Sequence, residues 1–157
     1  MKKNDAFDIT ADEAVKHFTD FMSNTKCQID CNFPKYNTYD ASVTGATGNV
    51  SIVELKGRNI PFDKFSDCEV NLEKLEELQK ISRSTKQPAI LCAIYPQDDK
   101  IVFWTLDNNT NYKNIAYWKQ TLRHTALEDG EKHCHQVVPL LFSEGKVFDY
   151  HFKADKN

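Results

Sequence analysis

Long apolar runs are absent from this chain, and no stretch approaches the length of a membrane span. A membrane partner is therefore not expected. Glycine and proline number only five each in 157 residues. No linker rich in Gly, Pro or Ser divides the chain, nor does an internal repeat or a low-complexity block. A single domain over residues 1–157 is the expectation, with a sizeable core and little to spare. Basic charge is not in excess: 20 Lys and Arg against 23 Asp and Glu give a formal net charge of -3. That removes a global basic field for nucleic acid but leaves room for a local basic groove. There is no G-x-S-x-G, no P-loop and no G-x-G-x-x-G, so acyl transfer, nucleotide hydrolysis and dinucleotide binding have no support. His17, His133, His135 and His151 have no nucleophile at a recognisable spacing. The opening "MKKNDAFDITADEAVKHF" lacks the apolar stretch of a signal peptide, and a cytoplasmic location is expected.

The cysteines are five and scattered, at 27, 31, 68, 92 and 134. Free thiols in a reducing compartment are the simplest reading. Cys27 and Cys31 form a C-x3-C, and His133 and His135 flank Cys134, so a zinc site is conceivable. The spacing argues against it. The two halves lie a hundred residues apart along the chain, and in a strand the two histidines share one face while Cys134 takes the other.

What is present is an alternation of helical and extended patterns. "DITADEAVKHFTDFMSN" is a helix capped by Thr10, with Glu13 completing a T-x-x-E capping box and Ala14, Phe18, Phe21 and Met22 on the buried stripe. "QIDCNFPKY" reads as a connector. "NTYDASVT" and "VSIVELKGR" read as strands joined by the "GATGN" turn. "NIPFDKFSDCE" reads as a loop. "NLEKLEELQKISRST" is a helix capped by Asn71, with Leu72, Leu75, Leu78 and Ile81 inward. "PAILCAIY" and "KIVFWTL" are further strands, the first apolar enough for burial on both faces. Residues 121–142 read as a hairpin turning at Asp129–Gly130, and "KVFDYHF" as a last strand. The helix between Lys56 and Pro88 can cross over to a parallel neighbour. The expected class is α/β (α+β): a mixed central sheet flanked by helices, with a C-terminal β-hairpin extension.

Charges on the first hairpin stand out. Side chains alternate along a strand, so Glu54 and Lys56 share one face about 6.6 Å apart, while Val53 and Leu55 face a core. Pairing across the turn brings Asp40 near Glu54 on that face. Two close carboxylates repel unless a cation sits between them. Hard oxygen ligands suit Mg²⁺, which polarises phosphate oxygens and lowers the pKa of its water, and a lysine beside that water can orient it. The plainer alternative is an exposed ion pair with Asp40 as a turn-flanking surface residue.

"YDASVT…VSIVELKGRN", set in the order helix, hairpin, helix, strand, resembles the PD-(D/E)XK nuclease superfamily, also called restriction-endonuclease-like, over roughly residues 8 to 106. The resemblance implies a Mg²⁺-dependent nuclease, with Mn²⁺ as a substitute, that hydrolyses phosphodiester bonds in DNA, with RNA and the choice of endo- or exonucleolytic cleavage left open. It implies Asp40 and Glu54 as metal ligands and catalytic residues, the carbonyl of Leu55 as a further ligand, and Lys56 as the catalytic lysine. Tyr39 stands where the motif has proline. A bacterial or phage setting is the family's usual company.

Around this centre, Arg58, Asn59 and Lys74 are candidates for nucleic-acid contacts. Glu13 is a candidate accessory acid, although its cap already explains it. On the second helix Gln79 is a candidate accessory residue, with Glu69, Glu73, Lys74 and Glu77 as alternatives, and Glu76 with Lys80 makes an ordinary i,i+4 pair. Lys113, Lys119, Arg123, His124 and Lys132 could line a groove with Tyr112, Tyr117 and Trp118, although a core role suits those aromatics better. A homodimer is expected, because two-fold symmetry matches duplex DNA. The alternative function is a catalytically silent nuclease-like module that binds nucleic acid or protein.

Overall fold

The computed structural model describes residues 8–34, 37–122 and 132–152. Its first helix, α1 (Ala11–Met22), is capped by Thr10, whose Oγ1 accepts from the Glu13 N–H at 3.1 Å; the Glu13 carboxylate accepts from the Thr10 hydroxyl at 3.2 Å rather than from the Thr10 backbone N–H of a full capping box. Ala14, Phe18 and Met22 form its buried stripe, and Phe21 packs on Phe103, Phe148 and Tyr150.

Nine strands and a second helix follow among the described residues. They are β1 (Gln28–Asp30), β2 (Ala41–Thr44), β3 (Val50–Gly57), β4 (Asp67–Asn71), α2 (Leu72–Thr85), β5 (Ala89–Tyr95), β6 (Lys100–Thr105), β7 (Tyr117–Leu122), β8 (Lys132–Leu141) and β9 (Lys146–Asp149). One sheet has the order β1-β2-β3-β5-β6-β9, and a second has β4-β8-β7. Every pairing is antiparallel except β3 with β5. That parallel pair is the one expected from the crossover, and α2 lies within it. The class is the mixed α/β arrangement read from the sequence, with the β7–β8 hairpin towards the C-terminus. The hairpin begins at Tyr117 rather than Thr121, and its Asp129–Gly130 turn lies outside the described residues, as do Arg123 and His124.

Two segments differ from expectation. The connector after α1 contains β1, because Ile29 pairs with Val43 and buries part of its side chain. The loop after β3 ends in β4, where Cys68 and Val70 point inward between Asp67, Glu69 and Asn71.

The central strands of the six-stranded sheet are covered on both faces. Val53, Leu55, Cys92 and Ile94 pack against α1 in one cluster. Ile52, Leu91, Ala93, Tyr95 and Val102 pack on the other side against Leu75 and Leu78 of α2 and against Val70 and Val138 of the second sheet. Strand alternation therefore puts Glu54 and Lys56, in step with Ile52, on the α2 side. No helix among the described residues is long and apolar enough to cross a membrane.

Candidate active site

The β2–β3 hairpin fixes the register that the site needs. Ala41 stands opposite Val53, and β2 begins there. Asp40, one residue earlier, donates its N–H to Val53 O at 2.9 Å. Its carboxylate then takes over the ladder: Asp40 Oδ2 accepts the Leu55 N–H at 2.8 Å. The side chain at 40 thus satisfies a backbone donor that β2 no longer reaches, and this holds the carboxylate beside β3. In a strand the N–H and C=O of one residue point to the same edge, so the Leu55 carbonyl is directed towards Asp40 as well.

Glu54 lies next to that carboxylate and is only 7% exposed. Burial, followed by the charge of Asp40, pushes its pKa up to about 8, while Lys74 and Lys56 oppose the rise. As an anion Glu54 leaves Oε1 buried with no hydrogen-bond donor; as an acid it hydrogen-bonds to Asp40. A buried carboxylate without a donor beside a second carboxylate is an electrostatic deficit that a cation relieves.

The nearest protein cation to Glu54 comes from α2. Lys74 Nζ lies 3.9 Å from Glu54 Oε2 and donates to the Thr38 carbonyl at 2.8 Å. Asn71 caps this helix by accepting the Glu73 N–H at 3.0 Å, which sets the first turn, and with it Lys74, over the hairpin. Lys56 follows Glu54 by two on β3 and has no ion-pair partner among the described residues.

The structure thus gathers Asp40, Glu54, Leu55, Lys56 and Lys74. Other candidates stand elsewhere. Arg58 is buried, with Nη1 on the Asp8 carboxylate and Nη2 donating to the Glu69 carbonyl at 2.7 Å. Asn59 Oδ1 accepts from Gln97 at 3.0 Å. The Gln79 amide is buried and donates to the carbonyls of Asp107 and Thr110, both at 2.8 Å, so it ties down the loop after β6. Glu13 serves the cap of α1, on the opposite face of the sheet from Glu54. Tyr112 belongs to the core, whereas Tyr117 is half exposed and Trp118 is 69% exposed. A core role is thus met by the first aromatic and not by the other two. Lys119 pairs with Glu69.

The sequence reading did not single out Lys74 as the counter-ion of Glu54. The available signal was a lysine in the first turn of the crossover helix, on the face of the sheet that carries the acids. No family model, no curated protein and no solved structure matches the chain.

The donor set fits a small hard cation. Two carboxylates and one carbonyl are what Mg²⁺ commonly takes from a protein, its remaining positions being filled by water and substrate. Among the described residues no group of three or more His, Cys, Asp or Glu is placed to hold a metal. Cys27 and Cys31 are half-buried and Cys134 is exposed on β8 of the other sheet.

Proposed function

We propose that this chain is a Mg²⁺-dependent nuclease that hydrolyses phosphodiester bonds in DNA, with Mn²⁺ able to replace Mg²⁺. One observation carries the reading: Glu54 is buried beside Asp40 with its pKa raised to about 8 and one oxygen without a donor. A perturbed acid on a sheet, beside a second carboxylate and next to lysines, is what a metal-assisted hydrolytic site requires. Asp40 and Glu54 would hold the ion, with the Leu55 carbonyl beside them. When bound, Mg²⁺ supplies polarisation of a phosphate oxygen and acidification of a water. Lys56 orients the attacking water and faces the charge that develops on the phosphate. Lys74 limits the repulsion between the two acids and keeps the anionic phosphate from meeting an all-negative wall. The unpaired cysteines suit a reducing, cytoplasmic setting, and a homodimer would present one site to each strand of a duplex.

The 3.9 Å approach of Lys74 to Glu54 favours a second reading. An ammonium already beside the carboxylate can serve as the permanent cation of the site, which would leave a catalytically silent binding module.

A nuclease assay separates the two. Single-stranded, duplex and branched DNA are incubated with Mg²⁺ or Mn²⁺ and with wild type, Glu54→Ala or Lys56→Ala. Cleavage abolished by chelator and reduced on the order of 10²-fold or more in both variants is the expected result. Absence of cleavage on every substrate, with no Mg²⁺ or Mn²⁺ uptake in calorimetry, establishes the silent module. A monomer mass at micromolar concentration removes the dimer.

A further inference from the structure

β3 carries the face of the site onward. Arg58 follows Lys56 by two residues, about 6.6 Å along the strand on the same side. There it forms the floor of a cleft of ≈ 340 Å³ between the main sheet and the second sheet, within the size range of small-ligand sites. Phe65 and Tyr117 stand in its walls and are 50% and 42% exposed. Aromatic rings left half open in a cleft are stacking platforms for flat rings.

The polar lining is selective. The Arg58 guanidinium is held by Asp8 and the Glu69 carbonyl, and Lys119 is held by the Glu69 carboxylate. Asp67 differs, because its carboxylate makes no hydrogen bond or ion pair with the described residues. Its pKa is raised, first by burial and then by Glu69, against the pull of Lys119. An ionised carboxylate only accepts, and its two oxygens take two donors side by side. Among the common nucleobases, guanine alone offers two adjacent donors on its Watson–Crick edge, N1–H and the 2-amino group. Adenine and cytosine place a ring-nitrogen acceptor beside their amino donor, and that acceptor would face the carboxylate's negative charge. Thymine and uracil offer one N–H between two carbonyls.

We propose that this cleft takes an unpaired guanine base, stacked on Phe65 and Tyr117 and read by Asp67. Its phosphate side lies towards Lys56, with Lys119 as the cation at the rim. Such a base is one that single-stranded or unwound substrate presents. The placement beside Lys56 rests on the nuclease reading; the base readout does not.

The test therefore uses binding without metal. The full chain, in EDTA at low salt, is titrated with guanosine, inosine and adenosine 5′-monophosphates by calorimetry, beside Asp67→Asn and Tyr117→Ala. Guanosine monophosphate is expected to bind about tenfold or more tightly than the other two, since inosine lacks the 2-amino donor and adenosine reverses the ring-nitrogen polarity. Asp67→Asn brings guanosine down to the level of adenosine, and Tyr117→Ala weakens all three. Equal binding of guanosine and adenosine, an unchanged preference in Asp67→Asn, or no binding of any nucleotide overturns the proposal. Guanosine selectivity without DNA cleavage keeps this inference and removes the nuclease reading; cleavage without guanosine selectivity does the reverse.

Discussion

Glu54 is the residue on which pH should act most visibly. Its folded-state pKa of about 8 stands above the ordinary 4.5, so the folded chain binds its proton more tightly than the unfolded chain does. The stability that this proton contributes is complete below about pH 4.5 and is lost as pH rises towards 8. The full effect has a ceiling of about 5 kcal/mol. Glu54→Gln keeps the shape and removes the titration. In EDTA, urea unfolding should find the variant level with wild type at pH 4 and several kcal/mol more stable at pH 9; an equal gap at both values would refute the assignment. Mg²⁺ should reverse the order by stabilising wild type alone, and more at pH 9 than at pH 6, because it competes with the proton on Glu54. The meeting of Asp40 with Glu54 was legible in the sequence, because the short Gly45–Asn49 turn dictates the register and strand parity puts Glu54 and Lys56 on one face. Lys74 was not legible as the partner of Glu54. Its approach depends on how α2 packs across the sheet, and local spacing carries no information about that. The same holds for Gln79 and Arg58, whose polar ends are satisfied by carbonyls or a carboxylate distant in the chain.

At the scale of elements, the legible parts were those with their own punctuation or long periods. Both helices carry side-chain caps at Thr10 and Asn71, and β5 and β6 are apolar runs that only a doubly covered sheet accommodates. β1 escaped because three residues are too few to establish a period, and β4 because its acids disguise its alternation. Their existence is decided by partners: β1 is completed by β2, and β4 by β8. The contact between the sheets has its own weak point. Trp104 Nε1 on β6 donates to the Leu141 carbonyl at the end of β8 at 2.8 Å. Gly145, in the connection to β9, lies so close that a Cβ there would sit 2.8 Å from Trp104 Nε1 and 2.9 Å from Val102 Cγ1. A rigid indole cannot give way as a flexible side chain can. Gly145→Ala should therefore cost about 1–3 kcal/mol and shift Trp104 emission to longer wavelength. Gly45→Ala is the control: its Cβ would meet only Asn49 O at 3.8 Å, and stability should stay within about 0.5 kcal/mol. Equal unfolding midpoints for the two variants would show that the Gly145 contact is not limiting.

Across the whole molecule, the two sheets share one core on the α2 side. Leu75 and Leu78 of α2 lie in the same buried cluster as Leu91 and Val102 of the six-stranded sheet and Val70 and Val138 of the smaller one. The chain also enters the second sheet between β3 and β5, so the crossover of the parallel pair carries β4, one strand of the smaller sheet. The candidate site depends on this continuity, because Lys74 and Asp67 belong to the excursion while Glu54 and Lys56 belong to the main sheet. Neither sheet should therefore persist alone, and the 157 residues should unfold as one domain. Trp104 is buried and Trp118 exposed, so Trp118→Phe leaves a single fluorophore bonded across the two sheets at small expected cost. In urea, the emission of that variant and its far-ultraviolet circular dichroism should trace one coincident transition with a common midpoint. An indole that loosens at lower urea, while most of the dichroism remains, would mean that the second sheet detaches as its own unit.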